Sequence, residues 1–385
     1  DQGARADASG AALWAVGQHW RMTRDPEVAA ALLGPLAKGV HALEKRRGRR
    51  RREPLGAGSV RGGAGLVRGG AGPRWAGSGD GPVYADSFWA WAGAVAVADA
   101  MDGIGQPDVA SGARSLAAAL AGDLRAELGR VTVAPAGPSR RVDAGIVANL
   151  VACEPLGVLA PDDPLVAGTL DAIRDRFAVD GTAVLDATGP AGFDPVLTAW
   201  LAGAELVAGD PRALDRLAWL VAAASSTFAW PEVIHPRSGG GAVGEGHHTP
   251  ATAAVLRLVR QLLARDTVAG PVLCSWLPEG WEGQGIEVHD APTAHGLLSY
   301  ALRWHGERPA VLWELDPHPG VEADAVELRA PGLDPAWIGT GARGEALLSP
   351  FARPAPVEPP EVAESPAAGE APPAPSPASD GGSFS

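Results

Sequence analysis

Apolar positions recur at three- and four-residue spacing along most of the chain before Gly270. Within residues 9–46, Leu13, Trp14, Val16, Gly17 and Trp20 share one face. Asp25-Pro26 interrupts, and Ala29, Leu32, Leu33, Leu36 and Val40 line a second helix, so a helical hairpin is predicted. The pattern resumes at Asp86, with Phe88, Trp89, Trp91, Ala92, Val95 and Val97 opening a helix that closes near Asp102-Gly103. Further helices are predicted through Val109, Leu116, Leu120 and Leu124, from Ala144 to the Glu154-Pro155 break, over 164–178, over 193–208 and 211–225, and from Ala251 to Leu263. No stretch before Gly270 alternates clearly at period 2. Asp-Pro and Gly turns separate the helices and no short repeat recurs at a fixed period, which favours a closed toroid of α-hairpins over a consensus solenoid.

After Gly270 the period changes. Pro271–Trp276, Gly285–His289, Gly296–Trp304, Ala310–Leu315 and Ala325–Arg329 are short runs rich in Val, Leu and Trp between Gly, Pro and Asp turns, which predicts a small antiparallel β-domain of about five strands. Residues 46–80 begin with an arginine run and continue as Gly/Arg/Ala-rich sequence with no hydrophobic period, the mark of a long loop or disordered insertion. The expected organisation is a mainly α chain: a toroid over 1–268 carrying the 46–80 loop, a β-sandwich-like domain over 269–350, and a disordered Pro/Ala-rich tail over 351–385.

Composition narrows the function classes. Of 385 residues, 46% are hydrophobic, enough to bury a sizeable core. The net charge of -13 argues against a nucleic-acid-coating protein, although an Arg-Gly-rich stretch such as 46–80 can bind RNA in other settings. No apolar run reaches the length of a membrane span. Two cysteines, Cys153 and Cys274, exclude a disulfide framework and a multi-cysteine zinc site, and leave open whether they form a single bridge. The chain begins at Asp1 with neither an initiator methionine nor a signal pattern, as a fragment or processed product would; the compartment is not legible, and the cytoplasm is the default expectation. Tryptophan is over-used, 13 against 6 Phe and 2 Tyr, which suits flat apolar faces that stack on sugar rings as well as packing between helices.

The densest polar stretch runs from Phe228 to Ala254 and gathers Trp230, Glu232, His235, Arg237, Glu245, His247 and His248 around the Gly239-Gly240-Gly241 turn. Glu232 follows Pro231 after an apolar helix, so it is expected at a helix end facing a loop. Partial desolvation beside Trp230 suits general acid/base work; pairing with Arg237 or capping is the structural alternative. His247, His248 and Glu245 could ligate a metal, but adjacent histidines diverge on a helix, so no metal and no cofactor is expected. A histidine that hydrogen-bonds substrate or orients a carboxylate is the better reading.

A second candidate is Val83-Tyr84-Ala85-Asp86-Ser87-Phe88-Trp89-Ala90-Trp91. Asp86 or Ser87 could cap the following helix; functionally, Asp86 would sit at the mouth of the array with Trp89 or Trp91 as a sugar platform. Asp143, Asp180, Asp186 and Asp194 are expected as caps or surface residues. Gly239, Gly241 and Gly244 spell G-x-G-x-x-G, but no strand of a βαβ unit precedes them, and there is no Walker-type loop and no G-x-S-x-G elbow.

Three segments carry a family resemblance. Tyr84-Ala85-Asp86-Ser87-Phe88-Trp89 resembles a Y-W-D-D-F-W stretch. Trp230-Pro231-Glu232 with Gly240-Gly241 and Gly246-His247-His248 resembles W-x-E … G-x-G-H-H. Pro292 to Tyr300 resembles P-T-x-x-G-x-x-S-Y. Together they are similar to bacterial six-hairpin, (α/α)6-barrel glycosidase-like proteins of the α-L-rhamnosidase and debranching-glucosidase group. The resemblance implies an inverting glycoside hydrolase with Glu232 as general base and Asp86 as acid, and a carbohydrate subsite lined by Trp89, Trp230 and His247. Ala85 and Ser87 depart from the pattern. The chain supplies about nine of the twelve helices of such a barrel, which implies a fragment whose remaining helices lie upstream of Asp1. The alternative readings are a non-catalytic carbohydrate-binding or scaffolding protein on the same fold, and an α-solenoid interaction protein whose tryptophans only pack helices. Oligomeric state is not legible.

Overall fold

A computed structural model describes residues 6–52, 84–129, 144–179, 183–186, 192–244 and 246–353. The first part is helical: α1 (Ala6–Thr23), α2 (Pro26–Ala31), α3 (Leu33–Arg52), α4 (Tyr84–Gly103) and α5 (Pro107–Leu128). α1 and α5 each pack along α4, and Leu13, Trp20, Leu36, Leu43, Val97, Met101, Leu116 and Leu120 fill the space between them. α4 is buried on nearly every side, which its almost uninterrupted run of Ala, Val, Trp and Phe allows. α1 and α4 approach until their backbones nearly touch. A β-carbon on Gly10 would stand 2.5 Å from the carbonyl carbon of Trp89, and one on Gly93 would stand 2.5 Å from the carbonyl oxygen of Gly10. One on Gly17 would collide with the Cβ of Ala96. Small residues on both helices are therefore the condition of this packing.

A 3-10 helix (Ala144–Ala152) leads to α6 (Pro164–Phe177), followed by the short strands β1 (Ala178–Val179), β2 (Ala183–Asp186) and β3 (Gly192–Phe193). α7 (Pro195–Val207) and α8 (Arg212–Ala222) form a hairpin, and β4 (Val233–Ile234) and β5 (Gly241–Val243) precede α9 (Thr249–Leu263). The Asp-Pro pairs seen in the sequence start helices. Asp25 accepts from the N–H groups of Glu27 and Val28 at 2.9 and 3.1 Å, Asp163 from Leu165 at 2.8 Å, and Asp194 from Leu197 at 3.0 Å. In each case the proline enters the first turn, where its missing N–H costs nothing. Asp194 is thus a cap, as expected; Asp143 and Asp180 lie outside the described residues.

A buried charge network ties α6, α7 and α8 together. The Arg216 guanidinium pairs with Glu205, and both side chains are wholly buried. Arg174 reaches Glu205 at 3.1 Å and Asp210 at 2.7 Å, and Arg212 reaches Asp210 at 2.7 Å. Burial pushes the Asp210 carboxyl up, but the hydrogen bonds from Arg212 and the charge of Arg174 outweigh it and hold the group below its ordinary range.

The C-terminal strands are β6 (Ala264–Asp266), β7 (Pro271–Leu273), β8 (Ile286–Pro292), β9 (Gly296–His305), β10 (Arg308–Pro317), β11 (Leu328–Ala330), β12 (Asp334–Gly339) and β13 (Arg343–Leu347). They form two sheets, ordered β13-β10-β9-β8 and β12-β11-β7-β6. The sheets share one apolar cluster that includes Leu273, Leu298, Tyr300, Leu302, Val311, Leu315 and Leu328. Helices and sheets belong to one compact unit up to Ala352. Tyr300 joins them: its hydroxyl donates to the carbonyl of Leu263 at the end of α9 at 2.9 Å. Thr293 Oγ1 donates to the Gly296 carbonyl at 2.7 Å, so the Pro292–Tyr300 segment is a built turn and anchor. Cys153 and Cys274 are free buried thiols, and burial pushes them up to about 12 and about 11.

Several expectations change. The arginine run does not open the 46–80 loop, because Arg46 to Arg52 continue α3. Arginine is a good helix former, and Arg47 Nε donates to Asp123 on α5 at 2.6 Å. The remaining loop residues, 53–80, lie outside the described residues, as does the tail from 354. The helix expected from Ala144 winds as a 3-10 helix, in a run where Ile146, Val147 and Val151 crowd the turns. The helical part also holds a five-stranded sheet, β1-β2-β3-β4-β5, whose strands of two to four residues are too short to show alternation. The β-region has eight strands where five were expected. One of them, β6, follows α9 without a break, ahead of the expected boundary at 269.

Candidate active site

The polar stretch singled out in the sequence folds as a hairpin between α8 and α9. α8 ends at Ala222, and a turn over Ser225–Ala229 brings the chain back across its C-terminus. Ser225 N–H donates to the Ala229 carbonyl, Phe228 N–H to the Ser225 carbonyl, both at 2.9 Å, and Ala229 N–H to Ser225 Oγ at 3.1 Å. The turn holds Phe228 at φ 52, and the residue is 65% exposed.

Trp230 is 3% exposed and packs with Leu220, Ile234, Ala251 and Val255. Its indole N–H donates at 2.8 Å to the carbonyl of Leu220, in the last turn of α8, and its own carbonyl accepts from His248 N–H at 2.7 Å. Tryptophan is thereby the bolt of the hairpin, fixed at both its side chain and its backbone.

Glu232 is two residues on and half-buried. It lies at the entry to β4, ten residues past the end of α8, so the expected helix-end position is corrected to a strand entry. β4 pairs antiparallel with β5, Val233 opposite Val243 and Ile234 opposite Gly241. Gly244, at φ 73, then turns the chain beside Glu232: a β-carbon there would stand 3.0 Å from Glu232 Cβ and 3.1 Å from Oε2. Only glycine lets the carboxylate lie where it does. The second and third glycines of the G-x-G-x-x-G match are thus hairpin residues with no helix start between them.

The other residues of the stretch occupy different parts of the hairpin. His235 is exposed at its tip, where Nδ1 accepts from the N–H groups of Arg237 and Ser238 at 3.3 and 3.2 Å. Arg237 and His247 are exposed. His248 is half-buried at the start of α9, with Nδ1 enclosed and without a hydrogen-bond partner. Glu245 lies outside the described residues. Among the described residues no three His, Cys, Asp or Glu side chains group as metal ligands.

Asp86 lies in the first turn of α4, 6% exposed. α4 begins at Tyr84, so Asp86 and Ser87 are inside the helix and do not occupy the cap position considered from sequence. Their neighbours Tyr84, Ala85 and Phe88 join Leu124, Ala148, Val151 and Ala152 in an apolar cluster. Trp89 is half-buried and meets Trp14 of α1 edge-on at 5.3 Å. Trp200 of α7 packs both against the cluster around Phe88 and against the one that holds Trp230. Phe228 is the residue that sequence reasoning passed over; its exposure and its left-handed backbone have no signature in hydrophobic periodicity.

No family model matches the chain, and no curated protein matches it. Among solved structures it is similar to a glycosidase in its wild-type form, at 21% identity over 67% of this chain and 66% of that one, with a TM-score of 0.50. A phenylalanine-to-tyrosine variant described as a glycosidase aligns with the same figures. The chain spans 66% of the length of those glycosidases, just under two thirds. The fold is glycosidase-like: helical, with a small β-region whose strands pair antiparallel except for β7 and β11, which run parallel where a wholly antiparallel domain was expected. No helix among the described residues is long and apolar enough to cross a membrane.

Proposed function

We propose that the chain acts as a glycoside hydrolase on a glycan or glycoside, with its helices forming part of a six-hairpin (α/α)6 toroid. The observation that carries this reading is the seat of Glu232, a half-buried carboxylate held between the bolted Trp230 and Gly244 on a glycosidase-like fold. Such a carboxylate can take a proton from water as the water oxygen bonds to the anomeric carbon. Asp86, buried in the first turn of α4, donates a proton to the glycosidic oxygen as the carbon–oxygen bond on the opposite face breaks, and the product is inverted. Trp230 acts through Glu232. Arg237, His235, His247 and, at the head of α9, His248 offer hydrogen-bonding groups for sugar hydroxyls; Trp89 and Glu245 complete the proposed subsite.

The test is turnover of p-nitrophenyl α-D-glucopyranoside and p-nitrophenyl α-L-rhamnopyranoside by the chain and by Glu232→Gln. Turnover is expected to fall by about 10² or more, with the first-formed sugar anomer inverted by NMR. An unchanged rate removes Glu232 from the mechanism, and binding without any turnover favours a carbohydrate-binding protein on the same fold.

A further inference from the structure

Four non-glycine residues among those described have a positive φ: Arg24, Phe228, Cys274 and Asp290. Arg24 lies over the ring of Trp20, Cys274 is buried, and aspartate tolerates this conformation. Phe228 is different, because a bulky side chain is disfavoured at φ 52, where Gly or Asn would fit without strain. Its side chain gains little burial in exchange, the residue being 65% exposed. The turn uses the left-handed backbone, because Phe228 N–H donates to the Ser225 carbonyl within it, but it has no use for a phenyl ring at this position. A strained position filled by a bulky side chain that the fold leaves in solvent is the pattern of a ligand-contacting residue.

The neighbouring backbone says where such a ligand would lie. The Ser225–Ala229 turn is closed by its own hydrogen bonds, and Trp230 immediately after is fixed to Leu220 and His248. Phe228 is therefore presented from a rigid base. Glu232 is four residues on, and four residues of extended chain span at most about 14 Å. One or two linked sugar rings bridge that distance. A flat, water-exposed aromatic face within that chain length of a carboxylate suits a pyranose, which offers an apolar C–H face to stack on and polar edges to hydrogen-bond.

We propose that Phe228 is a substrate-binding platform that stacks on a sugar ring of the glycoside presented to Glu232; this rests on the glycoside reading above. The experiment compares Phe228→Gly, Phe228→Asn and Phe228→Tyr with the unaltered chain. KM and kcat are measured on the two p-nitrophenyl glycosides, binding of methyl α-D-glucopyranoside and methyl α-L-rhamnopyranoside by saturation-transfer NMR, and Tm by calorimetry. The Gly and Asn variants relieve the backbone and remove the ring, so Tm holds or rises while KM rises about fivefold to tenfold, with a smaller change in kcat. The methyl-glycoside signal weakens in parallel, and Phe228→Tyr, which keeps the ring, recovers most of the loss. If the unaltered chain acts on a glycoside and the Gly and Asn variants match its KM, or lose only Tm, the platform role is overturned while the glycoside reading stands. If the unaltered chain neither cleaves the p-nitrophenyl glycosides nor binds the methyl glycosides, both fall together.

Discussion

The carboxylate of Glu232 lies against the α-carbon of Gly244, with Oε2 3.1 Å from where a β-carbon would stand. Gly244 also needs its left-handed φ of 73 to bring β5 back beside β4. Gly244→Ala is therefore expected to displace Glu232 and strain the turn together. The strain is worth about 1–2 kcal/mol, and a carboxylate moved by a fraction of an ångström to an ångström costs about tenfold to a hundredfold in kcat. Steady-state kinetics beside a melting curve tests this: a variant that loses Tm but keeps kcat would show that the seat of Glu232 is not catalytic.

The contact between α1 and α4 is set by Gly17 and Ala96. Gly17→Ala places two β-carbons in one space and should destabilise by about 1–3 kcal/mol, because a close-packed helix pair has nowhere to move. Adding Ala96→Gly should restore most of the loss. Denaturant midpoints of the single and double variants decide it; no recovery in the double variant would mean that the helices do not meet at these residues.

Arg216 and Glu205 are both fully buried. Arg216→Met leaves the buried Glu205 carboxylate only Arg174 to offset its charge and should cost up to about 3–5 kcal/mol. Replacing both with methionine should cost less, because the buried carboxylate is gone and Arg174 keeps Asp210. Equal losses in the single and double variants would contradict the pairing.

Asp210 gives stability a pH dependence. Its folded-state carboxyl is held below the ordinary value of 3.8, so below that value the unfolded chain binds protons more readily than the folded one. The contribution is present above that ordinary value and is lost as pH falls through the folded one. Urea midpoints measured downward from about pH 5 should show the loss beginning near pH 4, and Asp210→Asn should flatten that part of the curve. An unaltered slope in the variant would assign the acid sensitivity to other carboxylates.

Helices bearing an Asp-Pro start and a repeating apolar face were legible in the sequence, because capping and amphipathicity act locally. Asp163-Pro164 and Asp194-Pro195 each open a helix within a residue or two of the expected place. What was not legible depends on distant partners. Arg47 stays helical with Asp123 beside it, 76 residues away. The strands β1 to β5 are defined by pairing between segments up to 41 residues apart, such as Phe193 with Ile234, and carry too few residues to announce themselves. At the site, the hairpin residues cluster in sequence, so Glu232, Trp230 and His248 could be named together. That Trp230 would be turned inward onto Leu220 depends on how α8 ends, and that Phe228 would be turned outward depends on one backbone angle.

Helix α9 is fastened at both ends. At Leu263 its last carbonyl is held by Tyr300 of the β-sheets, and at its head His248 holds Trp230 of the hairpin. It is a tie rod between two regions that have no sequence in common. Loosening the sheets would release the C-terminal end of this rod, and loosening the hairpin would release its head, so each region helps to hold the helix that the other packs against.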